Sequence, residues 1–146
     1  MVLSKIIASF HNEKGELQIE GLTSSDMDVL ELKEEEIKKI FGSEDINLFE
    51  LDSISKRLWL EPALSILAID APSTKEAVNL VIPNAKAKVS LRLPPTEDPE
   101  HAMKMLEEHI MKNVPWGANV RFTPEAKGSG IVADPSKEFT KKLVQN

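Results

Sequence analysis

Three basic side chains stand on one short segment of the chain, at Lys86, Lys88 and Arg92. Alternate residues of an extended strand point to the same side, so these three share one face. The whole chain has a net charge of −6, and a basic cluster in an acidic protein indicates an anion site. There Arg92 would offer a carboxylate two parallel N–H donors. A solvated sheet face explains the same pattern, and the residues alone leave both interpretations open.

Other residues with chemical potential are better explained by structure. The three glutamates at 34–36 are flanked by lysines, and Glu–Lys pairs one helical turn apart account for them. His101 and His109 lack the spacing of metal ligands, and His109 lies beside an apolar stripe that predicts a packed or rim histidine. We therefore expect no catalytic residue and no metal ligand in this chain.

Composition narrows the class of protein. With 146 residues, 41% hydrophobic and 29% charged, the chain is typical of one soluble globular domain spanning 1–146. Its negative charge and its few aromatic residues, two Trp, five Phe and no Tyr, argue against nucleic-acid binding. It has no cysteine and no apolar run of membrane-spanning length. We expect a cytoplasmic protein with neither a nucleic-acid nor a membrane partner.

Apolar periodicity and turn residues predict the secondary structure. Apolar and polar residues alternate through 85–93, the clearest strand pattern, while Asp98 followed by Pro99 predicts a capped helix start. Strands are predicted at 16–20, 63–70, 85–93 and 118–123, and helices at 2–11, 32–41, 43–58, 98–113 and from 134 onward. The second half of the chain therefore follows the order strand, strand, helix, strand.

Four short motifs occur in a fixed order: VIP at 81–83, SLRL at 90–93, DPE at 98–100 and PWGA at 115–118. Together with the opening helix, they resemble the lid of the zinc-dependent exopeptidase superfamily, which includes carnosinase, aminoacylase and glutamate carboxypeptidase-like dipeptidases. The lid is also called the dimerisation domain. The resemblance covers most of the chain and is weakest at 24–58.

The resemblance implies an α+β fold, a ferredoxin-like sandwich of an antiparallel sheet with two helices on one face. The family lid has the order βαββαβ with strands arranged 4-1-3-2, and this chain lacks a strand before its first helix. We expect a helical insertion at 22–60 and, at 134–146, the start of a return to the catalytic domain of a larger metallopeptidase. The slot of the first strand should be filled by residues 130–133, by the 16–20 strand or by a second copy.

The resemblance also implies a function. Family members cleave peptide or amide bonds of dipeptides or acyl-amino acids with two zinc ions on a separate catalytic domain. This chain would be the dimerisation and substrate-binding lid, inactive alone and without a cofactor of its own, and it would form a homodimer. The family arginine that reaches the substrate corresponds to Arg92. A family threonine that reaches in from the partner subunit corresponds to Leu80, and its neighbour Asn79 is the candidate for that contact.

A second hypothesis belongs to a different class. The chain could be a stand-alone, non-enzymatic α+β module that dimerises or holds a small anion at Arg92. The length of the native reading frame separates the two hypotheses, because only the lid requires metal-binding sequence on either side.

Overall fold

The computed structural model describes residues 1–29, 31–42 and 53–131. In these ranges the chain forms four helices and two strands, with a single 3-10 turn at Pro115–Gly117. They are α1 (Val2–Ala8), α2 (Glu34–Phe41), α3 (Ile54–Trp59), β1 (Ala63–Asp70), β2 (Lys86–Arg92) and α4 (Pro99–Lys112). The predicted α+β class is confirmed. The helix expected from residue 134 onward, and with it the return to a catalytic domain, lies outside the described residues.

The two strands form one antiparallel hairpin. Ala63 lies opposite Arg92 at one end and Asp70 opposite Lys86 at the other, with a register irregularity between Ile66 and Ala68. Along β2, half-buried and exposed residues alternate as the sequence predicts. The inner side of β2 packs on the core, and its outer side carries the basic residues.

The core joins the hairpin to two helices. Asp98 caps α4, where its carboxylate accepts a hydrogen bond from the His101 N–H at 2.8 Å, and Pro99 occupies the first turn as predicted. The buried side chains of α4 are four residues apart, on one face. The central cluster consists of Ile6, Phe10, Ile19, Leu64, Leu106 and Ile110.

The first helix is shorter than the predicted 2–11. It ends at Ala8, and the Ser9 hydroxyl donates a hydrogen bond to the Ile6 carbonyl at 2.7 Å. Serine hydroxyls compete in this way with the backbone bonds of a helix. Phe10 then turns fully into the core. The predicted 16–20 strand is reduced to an isolated antiparallel bridge between His11 and Leu17, so it does not fill the slot of the missing strand.

The predicted helical insertion is present in part. Helix α2 confirms the 32–41 prediction and ends at Gly42, whose φ of 67° is the left-handed conformation that glycine adopts at low cost. The apolar pattern of 32–41 predicts that Ile37 and Ile40 both face inward. Ile37 is buried, but Ile40 is 74% exposed, so the prediction is wrong for Ile40. Only the end of the predicted 43–58 helix falls in the described residues, as α3, and 43–52 lie outside them.

The predicted strand at 118–123 is wrong for the described residues, where the sheet has two strands. The segment does show a strand's burial pattern, with residues 118, 120 and 122 half-buried and those between them exposed. Val120 and Phe122 pack against the core. No backbone hydrogen bond joins 119–123 to another described residue, because no described strand lies beside the segment to pair with it.

Replacing Phe10 with alanine tests the core. Phe10 is 2% exposed at the centre of the cluster, and Phe10→Ala should lower the free energy of unfolding by about 3–5 kcal/mol because it leaves a cavity. Urea denaturation measures the change.

The matched control is Ile40→Ala, which removes an exposed apolar side chain. It should change the free energy of unfolding by less than about 0.5 kcal/mol. Equal losses in the two variants would show that Phe10 is not central to the core.

Candidate functional site

Arg92 ends β2 on the basic face, and its side chain is exposed. Its Nη2 donates a hydrogen bond to the Arg57 carbonyl oxygen at 3.3 Å. Within the described part of the chain its guanidinium makes no ion pair with a carboxylate. The contact with the carbonyl oxygen positions one nitrogen of the guanidinium and leaves its other N–H donors available to an anion.

The other two basic residues of this face differ from Arg92. Lys88 forms an ion pair with Glu125 at 2.5 Å, and both side chains are more than half exposed. Lys86 lies at the opposite end of β2, across the ladder from Asp70. Arg92 is therefore the member of the predicted cluster that combines an exposed head group with a backbone anchor.

Asn79 lies in the exposed connection 71–85 between the two strands. That connection leaves the hairpin at Asp70 and Lys86, at the end of the ladder opposite Arg92. Six strand steps of ~3.3 Å separate Lys86 from Arg92 by about 20 Å. No contact in the described residues joins Asn79 to Arg92, so one chain does not bring these two predicted site residues together.

Exposed apolar side chains are concentrated on β1 and the connection after it. Isolated exposed apolar residues are ordinary, whereas a contiguous apolar patch marks an interaction surface. β1 pairs with β2 on one side, and no other described strand covers its second edge. The exposed apolar side chains here are Ile66, Leu67, Ile69, Val78, Leu80, Val81 and Ile82.

Arg57 was not identified from the sequence, yet it stands beside Arg92. Its own Nη2 donates a hydrogen bond to the Gly15 carbonyl at 2.9 Å, which ties α3 to the turn after α1. The pKa of His11 is lowered by burial and, to a smaller extent, by the positive charge of Arg57. No sequence pattern signals this cluster, because it joins the turn at 11–15 to residues 57 and 92, which belong to two other segments.

A second cluster missed by sequence reasoning surrounds the buried Glu97 carboxylate. One of its oxygens accepts hydrogen bonds from the Thr23 N–H at 2.7 Å and the Thr23 hydroxyl at 2.6 Å, and the other faces His101 Nδ1 at 2.8 Å. Loss of water raises the pKa of Glu97, but the hydrogen bonds from Thr23 and His101 and the His101 charge outweigh it, so its pKa is below normal. This cluster ties residues 22–25 to the start of α4.

His109 is packed as predicted. Its Nε2 lies 3.1 Å from the Ser9 carbonyl oxygen, and its ring stacks on Phe10 with centroids 5.6 Å apart. In the described ranges no group of three or more His, Asp or Glu side chains could hold a metal ion. None of the helices there combines the length and apolar character needed to cross a bilayer.

Comparison with known proteins gives this arrangement a context. The family model described as "Peptidase dimerisation domain", from the M20 peptidases, matches residues 1–118. A cysteinylglycine-S-conjugate dipeptidase from Corynebacterium striatum is 27% identical over 139 residues, which is 92% of this chain and 30% of the dipeptidase.

A solved structure has the same fold. An M20 family metallo-carboxypeptidase from Sulfolobus solfataricus matches 98% of this chain with a TM-score of 0.73 at 20% identity, and the match covers 40% of that protein. The chain therefore spans less than half the length of each of these two relatives.

The low pKa of Glu97 predicts a pH-dependent contribution to stability. Because the folded state holds the carboxylate ionised, this contribution is complete above the ordinary pKa of 4.5 and is lost as the pH falls through the lower folded-state value. Glu97→Gln should therefore cost about 1–3 kcal/mol of unfolding free energy at pH 7. The difference from the wild type should shrink as the solution is acidified, as measured by urea denaturation at several pH values.

Glu125→Gln is the control, since Glu125 is 63% exposed in its pair with Lys88 and should cost less than about 1 kcal/mol. A Glu97→Gln deficit that is constant from pH 7 to pH 3 would contradict the prediction.

Proposed function

The chain belongs to the M20 peptidase dimerisation-domain family, and on that basis we propose that it is the dimerisation and substrate-binding lid of a zinc-dependent dipeptidase or amidohydrolase. The enzyme would cleave peptide or amide bonds of dipeptides or acyl-amino acids. The observation that carries the lid role is the exposed apolar surface of β1 and its connection. The similarity to a cysteinylglycine-S-conjugate dipeptidase supports the dipeptide substrate class.

Self-association would use this apolar surface. Leu67 is 58% exposed, Ile69 55% and Val81 95%, so a second copy that covers them would remove apolar area from water. The free edge of β1 also offers unpaired backbone groups to a second strand. An antiparallel pair of two β1 edges is self-complementary and forms a closed homodimer.

Substrate binding would then combine residues of two subunits. The connection that carries Asn79 leaves the hairpin at the end opposite Arg92, and no described contact joins the two residues within one chain. In a dimer, the connection of one copy could place its Asn79 near a substrate held by the other copy. Arg92 would hold the substrate carboxylate with two N–H donors, and the amide of Asn79 would contribute a hydrogen bond from the partner subunit.

The described residues do not fit a zinc site, since they contain no group of three or more possible ligands. Zinc would belong to a catalytic domain outside this chain, so we expect the isolated chain to cleave no dipeptide. The cytoplasmic location stays a prediction.

A stand-alone anion-binding module is the second candidate. The guanidinium of Arg92, which no described carboxylate neutralises, would serve such a module equally well. The native reading frame decides between the two, because a lid requires flanking metal-ligand motifs.

Leu67→Glu tests the dimer surface. Leu67 lies at the register irregularity between Ile66 and Ala68 and has no partner residue on β2. A glutamate there should therefore leave the hairpin intact while it places a carboxylate in the apolar interface. We expect a wild-type dimer at micromolar concentration and at least about tenfold weaker association in the variant, since burying an unpaired charge costs several kcal/mol. Sedimentation velocity measures both.

The control is Ile40→Glu, which introduces the same charge at an exposed apolar residue of α2 and should leave the dimer unchanged. A wild-type chain that is monomeric, or two variants that dissociate equally, would rule out this interface.

Arg92→Lys, introduced into the full-length enzyme, tests the carboxylate contact. Lysine keeps the charge but loses the two parallel N–H donors. The substitution should therefore cost about 1.5–3 kcal/mol of transition-state stabilisation, which appears as a lower kcat/KM. Steady-state kinetics on a dipeptide measures the loss.

Arg121→Lys, at an exposed arginine, is the control. A kcat/KM for Arg92→Lys within twofold of the wild type would reject the contact.

A further inference from the structure

We propose that Arg57 forms a second anion-binding position beside Arg92, so that this lid selects ligands carrying two carboxylates, such as a dipeptide with an acidic side chain. The inference rests on the proposed role of Arg92 in substrate binding. It adds a specificity-determining residue that neither the motifs nor the family match assigns.

Arg57 connects the two guanidinium groups, because its backbone carbonyl contacts Arg92 and its side chain carries the second group. Arg92 Nη2 lies 3.3 Å from the Arg57 carbonyl oxygen, while the Arg57 head group reaches the Gly15 carbonyl at 2.9 Å. The two head groups are therefore separated by at most one hydrogen bond, the Arg57 carbonyl group and the length of one arginine side chain. A ligand with two carboxylates several bonds apart spans such a distance, whereas a single carboxylate engages one head group.

Both head groups contact backbone carbonyls, and neither pairs with a carboxylate of the described residues. Each guanidinium has five N–H donors, and one contact to a carbonyl positions the group without neutralising it. Four exposed lysines of the described residues have acidic partners, in the pairs Lys88–Glu125, Lys104–Glu108, Lys112–Glu20 and Lys127–Glu100, whereas Arg57 and Arg92 have none among them. In a chain of net charge −6, two neighbouring arginines without a described carboxylate partner form a local positive site.

Two acidic residues of the described part of the chain, Glu16 and Glu61, form no ion pair with Arg57 or Arg92. The Glu16 carboxylate accepts a hydrogen bond from the Asn12 amide at 2.6 Å, which holds it in the turn after α1. Glu61 stands one helical turn beyond Arg57, the spacing of a helical ion pair, but it makes none in the described structure.

His11 provides a spectroscopic reporter of the site. The charge of Arg57 contributes to its lowered pKa, so an anion bound at Arg57 should raise the pKa of His11 by compensating that charge. An anion bound at Arg92 alone should affect it less.

The binding test uses the full chain and three probes at constant ionic strength: acetate, glutarate and inorganic phosphate. NMR titration of the His11 imidazole should show that glutarate raises its pKa at a concentration at least about tenfold lower than acetate does, the gain expected from a second charge-assisted contact. Arg57→Gln should abolish this difference, Arg57→Lys should retain part of it, and Arg121→Gln should retain all of it.

Equal effects of acetate and glutarate, or an unchanged glutarate response in Arg57→Gln, would overturn the proposal. So would phosphate binding more tightly than glutarate, because the site would then take one compact dianion. If Glu61 closes on Arg57 in solution, none of the probes shifts His11, and that result also overturns it.

Kinetics of the full-length enzyme separate this inference from the proposed function. Arg57→Gln should lower kcat/KM about tenfold more for a dipeptide with an acidic side chain than for a neutral dipeptide. Absence of turnover with any dipeptide would refute the proposed function. Turnover of both dipeptides with an unchanged ratio in Arg57→Gln would refute only the role of Arg57.

Discussion

The pairing of β1 with β2 is the constraint on which the rest of the described structure depends. Its register turns the apolar side of β2 toward α1 and α4 and leaves the basic side facing water. The same register places Arg92 at the end of the hairpin beside α3 and the apolar connection at the opposite end. One ladder thus separates Arg92 from the exposed apolar connection, which is why the proposed site would need two chains.

Elements fixed by neighbouring residues were predictable from the sequence. The alternation through 85–93 gives β2, and Asp98 with Pro99 gives the start of α4 because capping uses atoms only a few residues apart. Gly42 ends α2 for an equally local reason. Arg92 was also recognised as a candidate from its own strand, since only the period of two is needed to place it on the basic face.

Features that depend on distant partners were not predictable. The 118–123 segment has a strand's burial pattern, but a ladder needs a neighbour that the pattern does not reveal. Ile40 is exposed because the helix face that packs is chosen by tertiary contacts. Arg57 and Glu97 meet partners far away in the sequence, and no spacing rule identifies such pairs.

The two unpaired edges of the hairpin have unequal consequences for solubility. In the proposed homodimer the β1 edge, which carries exposed apolar side chains, would pair with its own copy, so association there would stop at two copies. The other edge of β2 could pair with further copies in an open-ended way. Lys86 and Arg92 lie exposed on this strand, and like charges placed opposite each other by such pairing would repel. These basic residues would oppose fibre growth, so neutralising Lys86 would favour aggregation even in a variant that keeps Arg92 and its proposed substrate contact.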